Sequence, residues 1–387
     1  MTIAPPAAVD APPKAPSKAP RQLVIRGRAI PVVLPKRTDP RLKLSATIIT
    51  LTLLGLTVLT FQVSIPQILV CVLGCALIEA VVTFRREHKL VWPASAIQTG
   101  VSVAFIFRVG GTEHGDWWST RGLGLFALVV LLSMLPKYML RINGRHVFNP
   151  SNIGIVWGLL LIGPSYVFSE HLWWASFGWP IFISFVVIFG GAWWVLRQVK
   201  MIRMTAAFLG TFFVLIGIAA LAGHSYVATW HEGPVSGAFY WYTVAFSPEL
   251  LIFVFFMITD PQTAPKSRTA RIIYAVATAV VAAGLTVIQT TEFGIKVAIL
   301  SSLIATCALV PAFERLGRRI EARRSGAETA PRPAPKPLGR RLATAVRDPV
   351  LVAVAVIAVA APVNTALLPR DESIVLIEQG LTPRNVQ

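Results

Sequence analysis

"FMITDPQTAPKSRTAR", residues 256–271, ends an apolar run on Thr259, Asp260 and Pro261 and then sets out Gln262, Thr263, Pro265, Lys266, Arg268 and Arg271. Proline disfavours helix in the residue before it and is well suited to the first turn of the next, so one helix stops here and another starts. The surroundings decide what kind of helix this is. The chain of 387 residues is 55% hydrophobic and only 14% charged, with a mean hydropathy of +0.65, whereas an ordinary soluble domain carries about 25% charge. Its apolar residues arrive in blocks long enough to cross a hydrocarbon layer of about 30 Å, separated by short polar connections. The chain therefore reads as an all-α integral membrane protein.

The blocks fall at 44–64, 67–84, 94–107, 123–141, 148–167, 172–196, 205–223, 239–258, 270–288 and 294–311, with an eleventh at 350–368. Block 94–107, "ASAIQTGVSVAFIF", is short for a crossing and carries Ser95, Gln98, Thr99 and Ser102. Short or interrupted segments occur in membranes where they line a protein-enclosed cavity. Small and hydroxyl residues also serve plain helix packing, and the sequence leaves both readings open. Residues 1–43 are Pro/Ala-rich and basic, which predicts a disordered tail without the apolar core of a signal peptide. A membrane domain over 44–311 is expected to be followed by a basic, Pro-rich linker over 312–349, the extra span at 350–368 and a tail over 369–387.

The formal net charge of +18 invites a nucleic-acid reading, but its distribution excludes one. Lys and Arg gather in "RREHK" (85–89), "KYMLRINGRH" (137–146), "RQVKMIR" (197–203) and "KSRTAR" (266–271), besides the two ends of the chain. The intervening connections 65–66, 168–171, 224–238 and 289–293 hold none, and within 108–121 Arg108 and Arg121 are offset by Glu113 and Asp116. Such alternation is the positive-inside pattern, and it predicts a multi-pass protein of the cytoplasmic membrane with its N-terminus in the cytoplasm. The lipid bilayer, including its anionic headgroups, is the partner this charge implies. Aromatic clusters at 116–118, 172–174 and 239–242 are expected as interface anchors.

A second polar motif, "GRHVFNPSNIGI" (144–155), falls on the same predicted side as the first. Asn149 and Asp260 both precede a proline, which predicts two helix N-caps. Asn149, Pro150, Ser151 and Asn152 together with Thr259, Asp260, Pro261, Thr263 and Lys266 form the candidate binding set, since helix N-termini beside cations suit an anion or a phosphate. Glu79, Glu249 and Lys296 are ionisable groups within apolar blocks and are candidates for an ion or proton path; Pro248, beside Glu249, predicts a break. Cys71, Cys75 and Cys307 are too few for a four-thiolate cluster and read as buried thiols. Neither metal-ligand spacing nor a nucleophile motif is found, and no catalytic residue is assigned.

"FFMITDPQTAPKSRTARIIYAVATAVVAAGLTV" (255–287), with "LVPAFER" (309–315) and "VFNPSNIGIVWGLLL" (147–161), resembles the NqrB/RnfD family of membrane electron-transport subunits. The resemblance covers roughly 44–313. The stretches "DPRLKLSATIITLTLLGLTVLTF" (39–61) and "RHVFNPSNIGI" (145–155) are most similar to the RnfD-like UnbU branch, which accompanies enediyne biosynthesis genes. The resemblance implies a bundle of about ten helices with broken or short members, a flavin in the membrane domain, and partners among membrane redox subunits or biosynthetic proteins. Family members attach FMN to the last Thr of a Ser/Thr-Gly-Ala-Thr motif. The nearest match here is "SGAF" at 236–239, whose last residue, Phe239, has no hydroxyl. Covalent FMN is therefore not expected, which leaves noncovalent FMN or riboflavin. A non-redox transporter or solute-binding protein on the same fold is the alternative.

Overall fold

The computed structural model of the protein describes residues 22–25, 28–142 and 144–324. The expected span at 350–368, the tail after it and the larger part of the expected linker lie outside the described residues. Twelve α-helices follow in order: α1 Pro40–Thr57, α2 Ile65–Glu87, α3 Ala94–Ile106, α4 Leu123–Met139, α5 Pro150–Ile162, α6 Trp179–Val199, α7 Ile202–Leu221, α8 Gly237–Ala245, α9 Pro248–Ile252, α10 Arg268–Thr286, α11 Glu292–Ala308 and α12 Val310–Arg324. A π-helical turn, Phe253–Met257, continues α9. The ten expected blocks within 44–311 each hold a helix, with α8, α9 and the π turn sharing one block. The protein is all-α and membrane-embedded in character.

Local chemistry sets the starts. Asp39–Pro40, Asn149–Pro150 and Ser247–Pro248 each place a capping side chain directly before a proline at the first helical position. α2 starts with a capping box, in which Ser64 and Gln67 satisfy each other's backbone amides. The expected break at Pro248 is present: α8 ends at Ala245 and α9 restarts under the Ser247 cap.

Among the described residues, five segments are long and apolar enough to cross a membrane, namely α2, α6, α7, Gly237–Met257 and α10. Their burial separates periphery from centre: the apolar window of α2 is 17% buried, that of Gly237–Met257 is 72% buried. α11 joins the central layer, with nearly every residue from Glu292 to Cys307 buried. α3, α4 and α5 are shorter apolar helices.

Contacts sort the connections into two ends. At the basic end, Gln198 donates to Thr38 O, Arg145 to Pro261 O and Arg271 to Lys200 O. At the opposite, acidic end, Ile65 N donates to Trp117 O and His171 and Trp230 both reach Glu292.

Two parts of the expected disordered flanks are ordered. Gln22–Ile25 and Arg28–Val33 pair as an antiparallel hairpin, and Val32–Val33 runs parallel to Leu90–Val91 beside α3. The β-branched residues of this stretch favour extended chain, a local signal that the Pro/Ala-rich composition before it conceals. Residues 312–324 of the expected linker belong to α12, which leaves α11 with a bend of 63°. "FERLGRRIEARR" is built from good helix formers, and the Pro/Ser/Gly signals of a linker begin only after it.

Candidate functional site

The two motifs form one wall of a cavity of about 470 Å³ at the basic end. Asn149 has the extended conformation that a following proline imposes (φ −65°, ψ 121°), and its Oδ1 accepts from Asn152 N at 3.2 Å and from Ser151 Oγ at 2.9 Å. Its Nδ2 donates across to Met257 O at 3.4 Å. His146 Nε2 stands 3.5 Å from Asp260 Oδ2, and Arg145 donates to Pro261 O. Three contacts thus tie the first motif to the second.

Asp260 is not the N-cap that the sequence predicts. Its Oδ1 accepts from Gln262 N at 2.9 Å and its carbonyl from Ala264 N at 2.9 Å, so it heads an Asx turn. The cap of α10 is Ser267, seven residues on, which accepts from Ala270 N at 3.2 Å. The reason is the second proline: Pro265 keeps Ala264 out of the helical region and defers the helix. Thr259 Oγ1 donates to Phe255 O at 2.5 Å, within the π turn that aims the motif at the cavity.

The facing wall comes from α1 and α3. Asp39 pairs with Arg41 at 2.6 Å, and that guanidinium holds the Asp39 carboxyl below the usual carboxylate range. Ser95, Gln98 and Thr99 line the cavity from the first turns of α3. Gln98, Ser102 and Phe105 continue below it into a second void of about 20 Å³ that again touches Asn149, Ser151 and Met257. Of the two readings of this short helix, lining a cavity is the one its polar face serves.

Not all of the candidate set gathers here. Asn149, Pro150, Ser151, Thr259, Asp260 and Pro261 line the cavity. Asn152 turns away and donates to Leu300 O at 2.9 Å, fixing α5 to α11. Thr263 and Lys266 face a separate recess under α12. Glu79 does not join Glu249 and Lys296: it lies behind Ser95, where Lys137 Nζ bonds it at 2.6 Å and Ser95 Oγ at 3.1 Å. A helix that starts at the acidic end carries position 79 to the basic end, and no single path holds all three residues.

Replacing Asn149 tests the wall. Asn149→Ala is expected to cost about 1 kcal/mol through the lost cap, and Asn149→Ser, which keeps the acceptor but not the reach to Met257, to recover most of it. Thermal unfolding in detergent reads both; an Ala variant as stable as the parent protein would remove the cap assignment.

At the acidic end Glu249 and Lys296 are joined by Arg108, Glu170 and Glu292, which the sequence did not single out. Residues 107–109 and 167–169, trailing the short helices α3 and α5, pair antiparallel deep in the bundle. Arg108, on the first strand, is fully buried. Its guanidinium meets Glu170 Oε2 at 2.6 Å and donates to the carbonyls of Ala104, Phe105 and Phe107 at 2.8–2.9 Å, capping the end of α3. Glu292 accepts from Leu172 N at 2.5 Å, Trp230 Nε1 at 3.1 Å and His171 Nδ1 at 3.2 Å, and stands 4.0 Å from Lys296 Nζ. Lys296 also donates to Ser169 O at 3.2 Å, and Trp174 Nε1 to Glu249 Oε1 at 3.0 Å. Glu292 and Lys296 border a cavity of about 370 Å³. Trp174 is correspondingly buried against Phe61 and Phe105 and is no interface anchor. One signal was available: the two short apolar segments each trail one charge of opposite sign, Arg108 and Glu170.

Residues 168–319 match the model of the NQR2, RnfD, RnfE family. That stretch of the chain is similar to the NQR2, RnfD, RnfE family. The match takes in the "TDPQTAP" motif, Glu170, Glu249, Glu292 and Lys296, while the "NPSN" motif and α1–α5 precede it. No curated protein matches the chain. Phe239, the last residue of the "SGAF" stretch, lies at the acidic end, on the first turn of α8. The basic-end cavity does offer what a noncovalent flavin needs, with amides at Gln98, Asn149 and Gln262, hydroxyls at Ser95, Thr99 and Thr259, the ring of Phe256, and Lys36 and Arg41.

Proposed function

We propose that the protein is a membrane subunit of an electron-transport assembly and holds FMN or riboflavin noncovalently in the basic-end cavity. The convergence of both motifs on that cavity supports the reading. Its volume of about 470 Å³ lies in the range of cofactor-sized sites, about 300–1,000 Å³. Gln98, Asn149 and Gln262 supply donors and acceptors for the polar edge of a flavin, Phe256 the apolar contact, and Lys36, beside an Arg41 already paired with Asp39, the charge for a phosphate. A bound flavin would supply one- and two-electron chemistry; the chain's residues orient it and exclude water. The positive-inside rule turns this end to the cytoplasm, where redox partners or enediyne-type biosynthetic proteins have access to it. Glu292 and Lys296, buried at the other end, and the half-buried Glu249 are the groups that would carry a coupled ion.

The visible spectrum of detergent-purified protein tests this. A retained flavin band, or its recovery after equilibration with FMN or riboflavin, is the expected result, and the paired Gln98→Leu and Thr259→Val exchanges should weaken uptake about tenfold or more. A colourless protein that takes up neither flavin sinks the proposal. That outcome favours a solute carrier, for which the two cavities at opposite ends of a buried charged joint are the supporting observation.

A further inference from the structure

Under α12 lies a recess of about 690 Å³, separate from the cavity that the two motifs wall, to which they contribute Arg145, His146, Gln262, Thr263 and Lys266. Five cationic side chains from three separate parts of the chain line it: Arg141 and Arg145 from the α4–α5 connection, Lys266 from the turn before α10, and Arg315 and Arg318 from α12. Glu314 is the one carboxylate in the lining, and it is already engaged by the backbone amides of Lys266 and Ser267 and by Arg318 at 3.3 Å. Neither Lys266 nor Arg315 has a carboxylate partner among the described residues. Arg141 and Arg145 are oriented instead by carbonyls, Gly144 O at 2.5 Å and Pro261 O respectively, each through one terminal nitrogen. That leaves the remaining N–H groups of two planar forks free to bind. Ile142, Val147, Val310 and Pro311 supply an apolar rim.

Basic loops at this end follow from topology alone, but topology spreads charge and does not require it to converge. A hollow that gathers five cations, one of them paired with the single carboxylate, carries a positive potential that favours an anion. α12 is held over the hollow by contacts that leave these cations unused. Its Glu321 accepts from Ser267 Oγ at 2.8 Å and Thr269 N at 2.9 Å. We propose that this recess binds a phosphate group, the phosphodiester of an anionic phospholipid or the phosphate of a soluble molecule, through Arg141, Arg145, Lys266, Arg315 and Arg318. Bidentate guanidinium contacts suit such oxygens, and basic pockets beside membrane helices take anionic headgroups. The site stands apart from the proposed flavin cavity and can be tested on protein without flavin.

Native mass spectrometry of the full-length protein in detergent tests it, with phosphatidylglycerol, phosphatidylcholine and inorganic pyrophosphate as separate probes. The expected result is preference for phosphatidylglycerol over phosphatidylcholine, weakened about fivefold per removed cation and so about a hundredfold in the triple variant Arg141→Gln, Arg315→Gln, Arg318→Gln. A control, Arg85→Gln with Arg86→Gln at the end of α2, removes charge from the same end outside the recess and should bind as the parent protein does. Pyrophosphate binding that follows the same pattern assigns the site to a soluble phosphate. Binding of neither anion, or equal losses in the control and the triple variant, overturns the proposal. Hydrogen exchange across α10 and α11 shows whether the variants remain folded; should the triple variant unfold, Arg315→Gln alone, at an exposed position on α12, carries the same comparison.

Discussion

Arg108→Met is expected to destabilise the protein by about 3–5 kcal/mol, the cost of breaking a buried ion pair from one side. Two carbonyls of α3, that of Phe107 just after it and the Glu170 carboxylate lose their donor together, at a depth where no water replaces it. Pairing the exchange with Glu170→Gln should return part of the loss, because the stranded charge is then gone while the carbonyls stay unsatisfied. Thermal unfolding of the single and double variants in detergent decides the matter. Equal stability of Arg108→Met and the parent protein would mean that the pair is solvated and that the joint is not what holds the two short helices.

Gly100→Val should be nearly as damaging, at about 3 kcal/mol or more. A Cβ at Gly100 would stand 2.7 Å from Val72 Cα and 2.8 Å from the Cys71 carbonyl carbon, both backbone atoms with no freedom to yield. The α2–α3 contact is of the small-residue kind that lets membrane helices approach closely, and the same holds for α4–α5, where Gly154 would meet the backbone of Ser133. Gly210 in α7, with nothing within 4 Å of its added carbon, is the matched control, and Gly210→Ala should gain up to about 1 kcal/mol. If the two substitutions behaved alike in a folding assay such as detergent gel filtration, the close approach of α2 and α3 would be refuted.

Much of the architecture was legible because membrane burial imposes length. Each apolar block within 44–311 holds a helix, with ends up to seven residues from those expected, and Asn149 was recognisable as a cap from Asn-Pro alone. The misreadings share a different cause. Asp260 precedes a proline as Asn149 does, yet a second proline four residues later converts the cap into a turn, so its role depends on residues beyond the dipeptide. Arg108 was set against Glu113 and Asp116 as a loop charge, while its true partner is 62 residues away. Glu292 likewise meets residues 62 to 121 positions distant. Pairings at that separation are decided by how the helices assemble, and no local pattern in a single sequence encodes them. Trp174 shows the same limit, since a doublet of tryptophans reads as an anchor until a half-buried carboxylate, Glu249, is found beside one of them.

The strand pair behind the two short helices also bears on how the chain is made. Phe107 to Val109 pair with Val167 to Ser169, and among the described residues Arg108 finds its counter-charge in Glu170. A nascent chain that had emerged as far as α4 would carry a bare guanidinium and open peptide groups at the end of α3, which lipid does not accept. α3 is therefore unable to settle as an independent span. It has to wait near the translocation machinery or the interface until α5 and the residues after it arrive, and then enter together with them. Insertion of this protein should accordingly proceed with α3 to α5 as one cooperative unit, which makes the order of synthesis itself a constraint on the fold.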